Sequence, residues 1–254
     1  MNVSSHFSFP RFINLLKLEL YRNYKGILLI FEITFGFLFF MGLLLNVILD
    51  YKMVVYEHDE SYAITLIIGG FIVSSLAFKD LGNSLRRHSY LMLPASILEK
   101  FTCMWLLTSL GWTILFSTAF YLYSIVANTV GSVFFPSVTF QTFKPFGSFS
   151  LVIIKYYIVL QGIFLLGAAH FKGYALPKTL AVLITFGALC FGLFYVLLMD
   201  VFLMDHVCVT PDGCELANQM DLEGFWPFMQ VFFWWMLAPL TLILSYMGLK
   251  EQEA

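Results

Sequence analysis

The feature that most constrains this chain is a set of long, uninterrupted apolar segments. One of them, ILLIFEITFGFLFFMGLLLNVIL at 27–49, exceeds the roughly 20 apolar residues that a helix needs to cross a bilayer. Its apolar residues do not alternate with polar ones, which excludes the strand pattern of a transmembrane barrel. Charged residues make up 12% of the chain, against about 25% in soluble domains. The sequence therefore predicts an all-α integral membrane protein.

Six segments have the length and composition of membrane-spanning helices. They lie at about 26–49, 62–78, 101–126, 153–170, 179–199 and 228–248. The second is the weakest, because it is short and contains Gly69, Gly70, Ser74 and Ser75. Small residues of this kind favour close packing against a neighbouring helix. The sequence thus predicts a single six-helix transmembrane domain over residues 1–254, with both termini on one side.

The lysine and arginine residues predict the orientation of these spans, because such residues are enriched in cytoplasmic loops. With both termini in the cytoplasm, eleven of the 14 basic residues lie on the inner side. The eleven are Arg11, Lys17, Arg22, Lys25, Lys79, Arg86, Arg87, Lys100, Lys172, Lys178 and Lys250. We therefore expect a multi-pass membrane protein with both termini cytoplasmic.

Residues 10–25, before the first span, have the pattern of an amphipathic helix. Pro10 suits a first helical turn, and the next apolar residues share one face. These are Phe12, Ile13, Leu16 and Leu20. The pattern predicts an interfacial helix that enters the first span through a turn near Gly26. Its role is either a simple anchor or a contact surface for a cytoplasmic partner.

A segment with a proline and several polar residues separates the second and third spans and overlaps the inner element 79–95. Residues 86–101, which we call the elbow, read RRHSYLMLPASILEKF. Pro94 prevents one helix from running through into the third span. Ser96 and Glu99 then have the spacing of a capping box at the start of a new helix. The elbow is thus predicted to end a short cytoplasmic helix and to fix where the next helix begins.

The first residues of the elbow, Arg86, Arg87 and His88, are strongly basic. Two interpretations account for them. Lipid phosphate groups at the membrane surface attract lysine and arginine, and a docking site for a cytoplasmic protein would use the same charges.

The chain shows no motif of an enzyme. It contains no G-x-x-x-x-G-K-[ST] phosphate loop, no H-E-x-x-H zinc motif and no G-x-S-x-G nucleophile elbow. The five histidines are scattered, so we predict neither a metal nor a cofactor. Polar side chains occur inside the predicted spans at Glu32, Asn46 and Gln161. Such residues make substrate or gating contacts, form interhelical hydrogen bonds, or extend to the membrane surface.

Two outer loops have distinct compositions. The loop at 205–227 is acidic, and its Cys208 and Cys214 flank a Pro-Asp-Gly turn sequence. These cysteines are predicted to form a disulfide, which would contribute roughly 2 kcal/mol. The loop at 127–150 is rich in aromatic residues and proline, and it predicts either a surface segment or a re-entrant segment at the outer interface.

The order of these elements resembles the permease subunits of ABC-type exporters of the second class. Those subunits have six spans, an N-terminal interfacial helix and a coupling helix between spans two and three. The elbow is also similar to the stretch L-x-L-P-A-S-x-x-E-K-[FY] of bacterial proteins of this kind. The matching residues are Leu91, Leu93, Pro94, Ala95, Ser96, Glu99, Lys100 and Phe101.

The resemblance implies a coupling helix at residues 83–93 that docks on a separate ATPase subunit. Arg86, Arg87, His88 and Tyr90 would contact the ATPase, and the segment from Pro94 to Ser96 would be the hinge or lever. The functional unit would contain two permease subunits, alike or different, in a bacterial inner membrane, with lipids but no nucleic acid as partners. The acidic outer loop departs from the family pattern.

Two other functions stay open from the sequence. One is a non-transporting membrane scaffold of a larger complex, built on the same permease body. The other is an intramembrane enzyme, although the predicted spans contain no paired acid, base or metal-binding residues.

Overall fold

The structure is a computed structural model that describes residues 7–48, 55–82, 87–88, 90, 92–136, 138–171, 173–202, 227 and 230–253. Most of these residues are helical. The helices are α1 (Phe9–Ile48), α2 (Asp59–Ser75), α3 (Ile97–Leu106), α4 (Trp112–Phe134), α5 (Ser148–His170), α6 (Ala175–Phe202) and α7 (Ala238–Glu253). A 3₁₀ turn covers Lys79–Gly82, and π-helical turns cover Leu107–Gly111 and Phe232–Leu237. The two-residue strands β1 (Val55–Tyr56) and β2 (Thr139–Phe140) pair in parallel.

Five helical stretches among the described residues are long and apolar enough to cross a membrane. They are Phe9–Gly42, Ile97–Phe134, Ser148–His170, Ala175–Leu193 and Phe232–Gln252. This confirms the predicted class of helical membrane protein. The predicted number of six spans is not confirmed, because α2 has 17 residues. A helix of that length is about 26 Å long, shorter than the hydrocarbon core of about 30 Å.

The first helix is continuous, so the predicted turn near Gly26 is wrong. Helix α1 runs without a break through the predicted interfacial helix at 10–25 and into the predicted span. A single glycine costs a helix only about 1 kcal/mol, and no proline follows Pro10 within α1. At 40 residues, α1 is about 60 Å long, twice the hydrocarbon thickness. Part of it must therefore extend beyond the membrane core.

The third predicted span is also longer than its predicted limits of 101–126. Helices α3 and α4, joined by the π-helical turn, extend from Ile97 to Phe134. The first part of the predicted loop at 127–150 is therefore helical. The rest of that loop contains β2, which lies beside β1 from the segment between α1 and α2. The strand pairing joins two loops that are far apart in sequence.

Small residues allow α2 to approach its neighbours closely, as its sequence predicts. Gly69 lies against the ring of Trp112, and Gly70 lies against the ring of Tyr157. A Cβ atom at Gly69 would be 2.7 Å from the Trp112 ring. Backbone contact of this kind is the usual function of glycine between membrane helices.

The bundle has two clusters of buried side chains at different levels. One lies at the end that contains Arg11, Lys79, Arg87 and Lys100, which we call the basic end. Its buried members are Phe78, Leu81, Tyr90, Phe101, Met104, Leu165, Ala168, Ala169 and Leu249. The other, which we call the aromatic cluster, extends towards the opposite end, where β1 and β2 pair. It is built on Tyr62, Leu66, Trp112, Phe116, Phe120, Phe143 and Tyr157.

Candidate functional site at the basic end

The elbow turns at Pro94, as predicted. The described residues Arg87, His88 and Tyr90 have helical backbone. The N–H of Met92 donates to the carbonyl of His88 at 3.0 Å, which continues this helical pattern. Beyond it, the N–H of Ala95 donates to the carbonyl of Leu93 at 2.7 Å in a tight turn. The helical geometry is therefore interrupted immediately before α3 begins.

The predicted capping box of Ser96 and Glu99 is confirmed. The N–H of Glu99 donates to the Ser96 hydroxyl at 3.2 Å. The N–H of Ser96 donates to Glu99 Oε2 at 2.8 Å. These reciprocal bonds satisfy two donors at the start of α3 that have no partner within the helix.

Glu99 has a second role that its sequence spacing did not predict. Its Oε1 accepts the N–H of Ser8 at 2.6 Å and lies 3.1 Å from Arg11 Nη2. The Glu99 side chain is fully buried, whereas 29% of the Arg11 side chain is exposed. One carboxylate thus caps α3 and also binds the start of α1. The elbow and the N-terminal helix are joined by a partly buried ion pair.

Tyr90 and Lys100 belong to the interior of the basic end. Tyr90 is 3% exposed and Lys100 is 2% exposed. The Lys100 ammonium lies 5.3 Å from the centre of the Tyr90 ring, within cation–π distance. The prediction that Tyr90 offers its side chain to a docking partner is therefore wrong, because the ring is packed in the core.

Arg87 contacts the last helix of the same chain. Its Nη2 donates to the backbone carbonyl of Gln252 at 2.8 Å. The Gln252 side chain in turn donates to the carbonyl of Ala169 at the end of α5. Cations near a helix C-terminus are favourable because the last carbonyl groups have no partner within the helix. Arg86, the other half of the basic pair, lies outside the described residues.

Four of the described elbow residues are exposed: His88, Met92, Pro94 and Leu98. Met92 is 83% exposed and Leu98 is 47% exposed. Methionine is common at adaptable binding surfaces. His88 and Met92, which precede the turn at Pro94, are thus accessible for contact with another protein.

A second polar network joins α1 to the 3₁₀ turn. Arg22 Nη2 lies 2.6 Å from Glu19 Oε1, and Arg22 Nη1 lies 2.9 Å from Asp80 Oδ2. Asn23 donates to Glu19 Oε2 at 3.2 Å and accepts a hydrogen bond from Lys79 Nζ at 2.9 Å. Glu19 is fully buried. The apolar face predicted from periodicity does not match the buried face here, because Leu15 and Glu19 are buried and Leu20 is exposed. Periodicity also did not predict these polar contacts.

The polar residues predicted within the spans lie in different environments where their side chains are described. Glu32 is exposed on α1, and Asn46 belongs to α1 by its backbone. Gln161 is fully buried, and its Oε1 lies 3.2 Å from both Ser74 Oγ and Thr108 Oγ1. These contacts favour the interhelical hydrogen-bond interpretation for Gln161.

At the opposite end, His58 connects the segment before α2 to α4 and to the segment that follows β2. Its Nε2 lies 2.6 Å from Asn128 Oδ1, and Asn128 Nδ2 donates to the carbonyl of Gln141 at 3.2 Å. His58 is 3% exposed. Burial lowers the pKa of His58 below its usual 6.5, although Asn128 and the nearby Asp59 act in the opposite direction. We therefore assign the neutral imidazole to this site near pH 7.

The cysteines and acidic residues provide no metal site in the part of the chain that the structure describes. Cys103 is buried and Cys190 is exposed, and both are free. The predicted disulfide of Cys208 and Cys214, with its loop at 205–227, falls outside the described residues, apart from residue 227.

Comparisons with known proteins give no identification. No protein-family model, no curated protein and no solved structure matches the chain.

Proposed function

We propose that this chain is the membrane-spanning permease subunit of an ABC-type exporter of the second class, driven by a separate ATPase subunit that docks at the elbow. The observation that carries the proposal is the number of helices bonded to the elbow. Glu99 links α3 to Ser8, which precedes α1, and to Arg11 of α1, and Arg87 links the elbow to Gln252 of α7. A force applied at the elbow would therefore reach three helices directly.

In this proposal the ATPase contacts the exposed residues His88 and Met92, together with Arg86. Closure of the ATPase would displace the elbow relative to the membrane. The partly buried ion pair of Arg11 and Glu99 is suited to transmit that displacement, because separating it leaves Glu99 as an uncompensated buried charge. The resulting movement of α1 and α7 would alternate the access of a lipid-like or peptide-like substrate.

The complete transporter would contain two permease subunits, identical or different, and two ATPases in a bacterial inner membrane, with both termini of this chain cytoplasmic. The structure offers one point of support for the common side of the termini. Ser8 and Gln252 both bond to the elbow, so the first and last described turns lie at the same end of the bundle.

The test is the retention of an ATPase by the purified protein. The affinity-tagged chain is extracted in mild detergent, and ATP hydrolysis is measured in the eluate. Mass spectrometry identifies any co-purified protein that has a phosphate loop. Met92→Glu places a charge on the exposed tip of the elbow and should release the ATPase.

Tyr174→Glu is the matched control, because Tyr174 is 85% exposed in the loop between α5 and α6. We expect this variant to retain the ATPase. Size-exclusion chromatography shows whether each variant is folded. Absence of an ATPase from the wild-type preparation, or equal retention by a folded Met92→Glu variant, would contradict the proposal.

A further inference from the structure

A cavity of about 220 Å³ lies between α1, α2 and the helices α3 and α4. We call it the slot. At 1.5 Å per residue, its wall from Glu19 to Ile30 is about 16 Å long. Most of the side chains that line it are aliphatic, and Trp112 lies on the wall opposite α1. A narrow apolar space of this length suits one hydrocarbon chain.

One end of the slot is polar, and this end belongs to the basic end of the bundle. Glu19, Arg22, Asn23 and Lys79 all line it. The two acidic groups of this network, Glu19 and Asp80, both contact Arg22. Lys79 instead donates to the neutral Asn23 side chain at 2.9 Å and is exposed. The cation available at the rim is therefore Lys79.

The side of the slot is open. Its lining residues Leu20, Leu76 and Leu115 are 42%, 46% and 44% exposed. In a helix bundle that crosses a membrane, exposed leucines of this kind face lipid tails. A lipid could therefore enter sideways from the bilayer, with its head group at the basic end.

We propose that the slot binds an anionic phospholipid of the bilayer, with one acyl chain between α1 and α4 and its phosphate beside Lys79. The apolar wall accounts for the acyl chain, and the exposed ammonium accounts for the negative head group. The inference goes beyond the proposed function and is independent of it, because lipid binding requires neither an ATPase nor transport.

Native mass spectrometry of the delipidated full chain tests this site. The protein is incubated with equal amounts of phosphatidylglycerol and phosphatidylcholine that have the same acyl chains. We expect retention of one phosphatidylglycerol in preference to phosphatidylcholine. Lys79→Gln should weaken phosphatidylglycerol binding about tenfold, as expected for loss of one charge-assisted contact, and leave phosphatidylcholine binding unchanged.

Two glycines of α1 provide a matched pair of blocking variants. Gly26 lines the slot, whereas Gly36 does not. A Cβ atom at either position would meet nothing within 4 Å, so both can accept a larger side chain. Gly26→Phe should abolish retention of the lipid, and Gly36→Phe should leave it unchanged. Equal retention by the two variants, or a head-group preference that survives Lys79→Gln, would overturn the proposal.

Tryptophan fluorescence supplies a second measurement, in which lipid binding to the wild-type protein is detected by quenching and Trp112→Phe is the reference. Trp112 is 2% exposed, so bulk lipid tails do not reach it. Phosphatidylglycerol with brominated acyl chains should quench a component of the emission that is missing from Trp112→Phe. Identical fractional quenching of wild type and Trp112→Phe would show that the slot is empty and would contradict the inference.

Discussion

The basic end and the aromatic cluster hold helices together by different physical means. At the basic end, Glu99 binds Arg11 of α1 and Asp80 of the 3₁₀ turn binds Arg22 of α1, so charged groups join the elements. In the aromatic cluster, rings pack face to face or edge to face, as where Phe35 and Tyr123 stack at 5.0 Å. Ion pairs depend on a few atoms in fixed positions, whereas ring contacts are spread over a large area.

This difference suggests a division of roles between the two regions. Removing one partner of a buried ion pair costs much more than loosening one of many apolar contacts. The basic end should therefore move as a unit that transmits force. The aromatic cluster can tolerate small rearrangements as long as its rings stay in contact. Four measurements test this comparison.

The largest effect is expected for Glu99→Ala. The variant removes the acceptor of two backbone N–H groups and the partner of Arg11. Because Arg11 is partly exposed, we take the lower end of the range for broken buried pairs, about 3 kcal/mol. Thermal unfolding in detergent should then occur roughly 6–12 °C lower.

Glu251→Ala is the control for that measurement, because Glu251 is exposed at the same end of the bundle. Its melting temperature should equal that of the wild type. A Glu99→Ala protein as stable as Glu251→Ala would remove the distinction between the basic end and the rest of the bundle.

The next effect tests the packing of the aromatic cluster at Gly70. A Cβ atom there would overlap the ring of Tyr157, whose hydroxyl donates to the carbonyl of Thr108 at 2.6 Å. Gly70→Val should therefore lower the free energy of unfolding by about 2 kcal/mol through overpacking. Gly36→Val, which meets no neighbour within 4 Å, should have little effect. Equal stability of the two variants would mean that the ring moves aside without cost.

How much of the fold and of the candidate site could be predicted depends on how far apart in sequence the interacting residues are. The break at Pro94 and the capping box involve neighbours in sequence, so residue type and spacing were sufficient. Arg11 and Glu99 are 88 positions apart, and Arg87 and Gln252 are 165 apart. No local pattern marks such pairs. A long basic side chain looks the same in sequence whether it faces lipid phosphate, another protein or its own chain.

The continuity of α1 was missed for a related reason. Gly26 looked like a turn because a polar helix preceded an apolar one at that point. The contacts of Arg22 with Glu19 and Asp80 stabilise the helix immediately before this glycine. Asp80 belongs to a distant segment, so the sequence around Gly26 could not indicate it.

A smaller effect separates the two roles of Glu99. Ser96→Ala removes the hydroxyl that accepts the Glu99 N–H but leaves the ion pair with Arg11. The expected loss is about 1 kcal/mol, the usual contribution of an N-cap residue. Chemical denaturation of Ser96→Ala, Glu99→Ala and the double variant measures it. If Ser96→Ala costs as much as Glu99→Ala, Glu99 acts as a cap alone and the ion pair contributes nothing.

The smallest effect concerns His58, beside the aromatic cluster. Burial lowers the pKa of His58 in the folded protein, so between the folded pKa and the usual 6.5 the unfolded chain binds more protons. Stability is therefore complete above about pH 6.5 and falls as the pH decreases towards the folded pKa. Melting temperatures of wild type and His58→Gln, measured from pH 8 to pH 5, should diverge only at the acidic end. Parallel curves would mean that His58 ionises without disturbing the contact to Asn128. Ring packing alone would then stabilise the end of the bundle at which β1 and β2 pair.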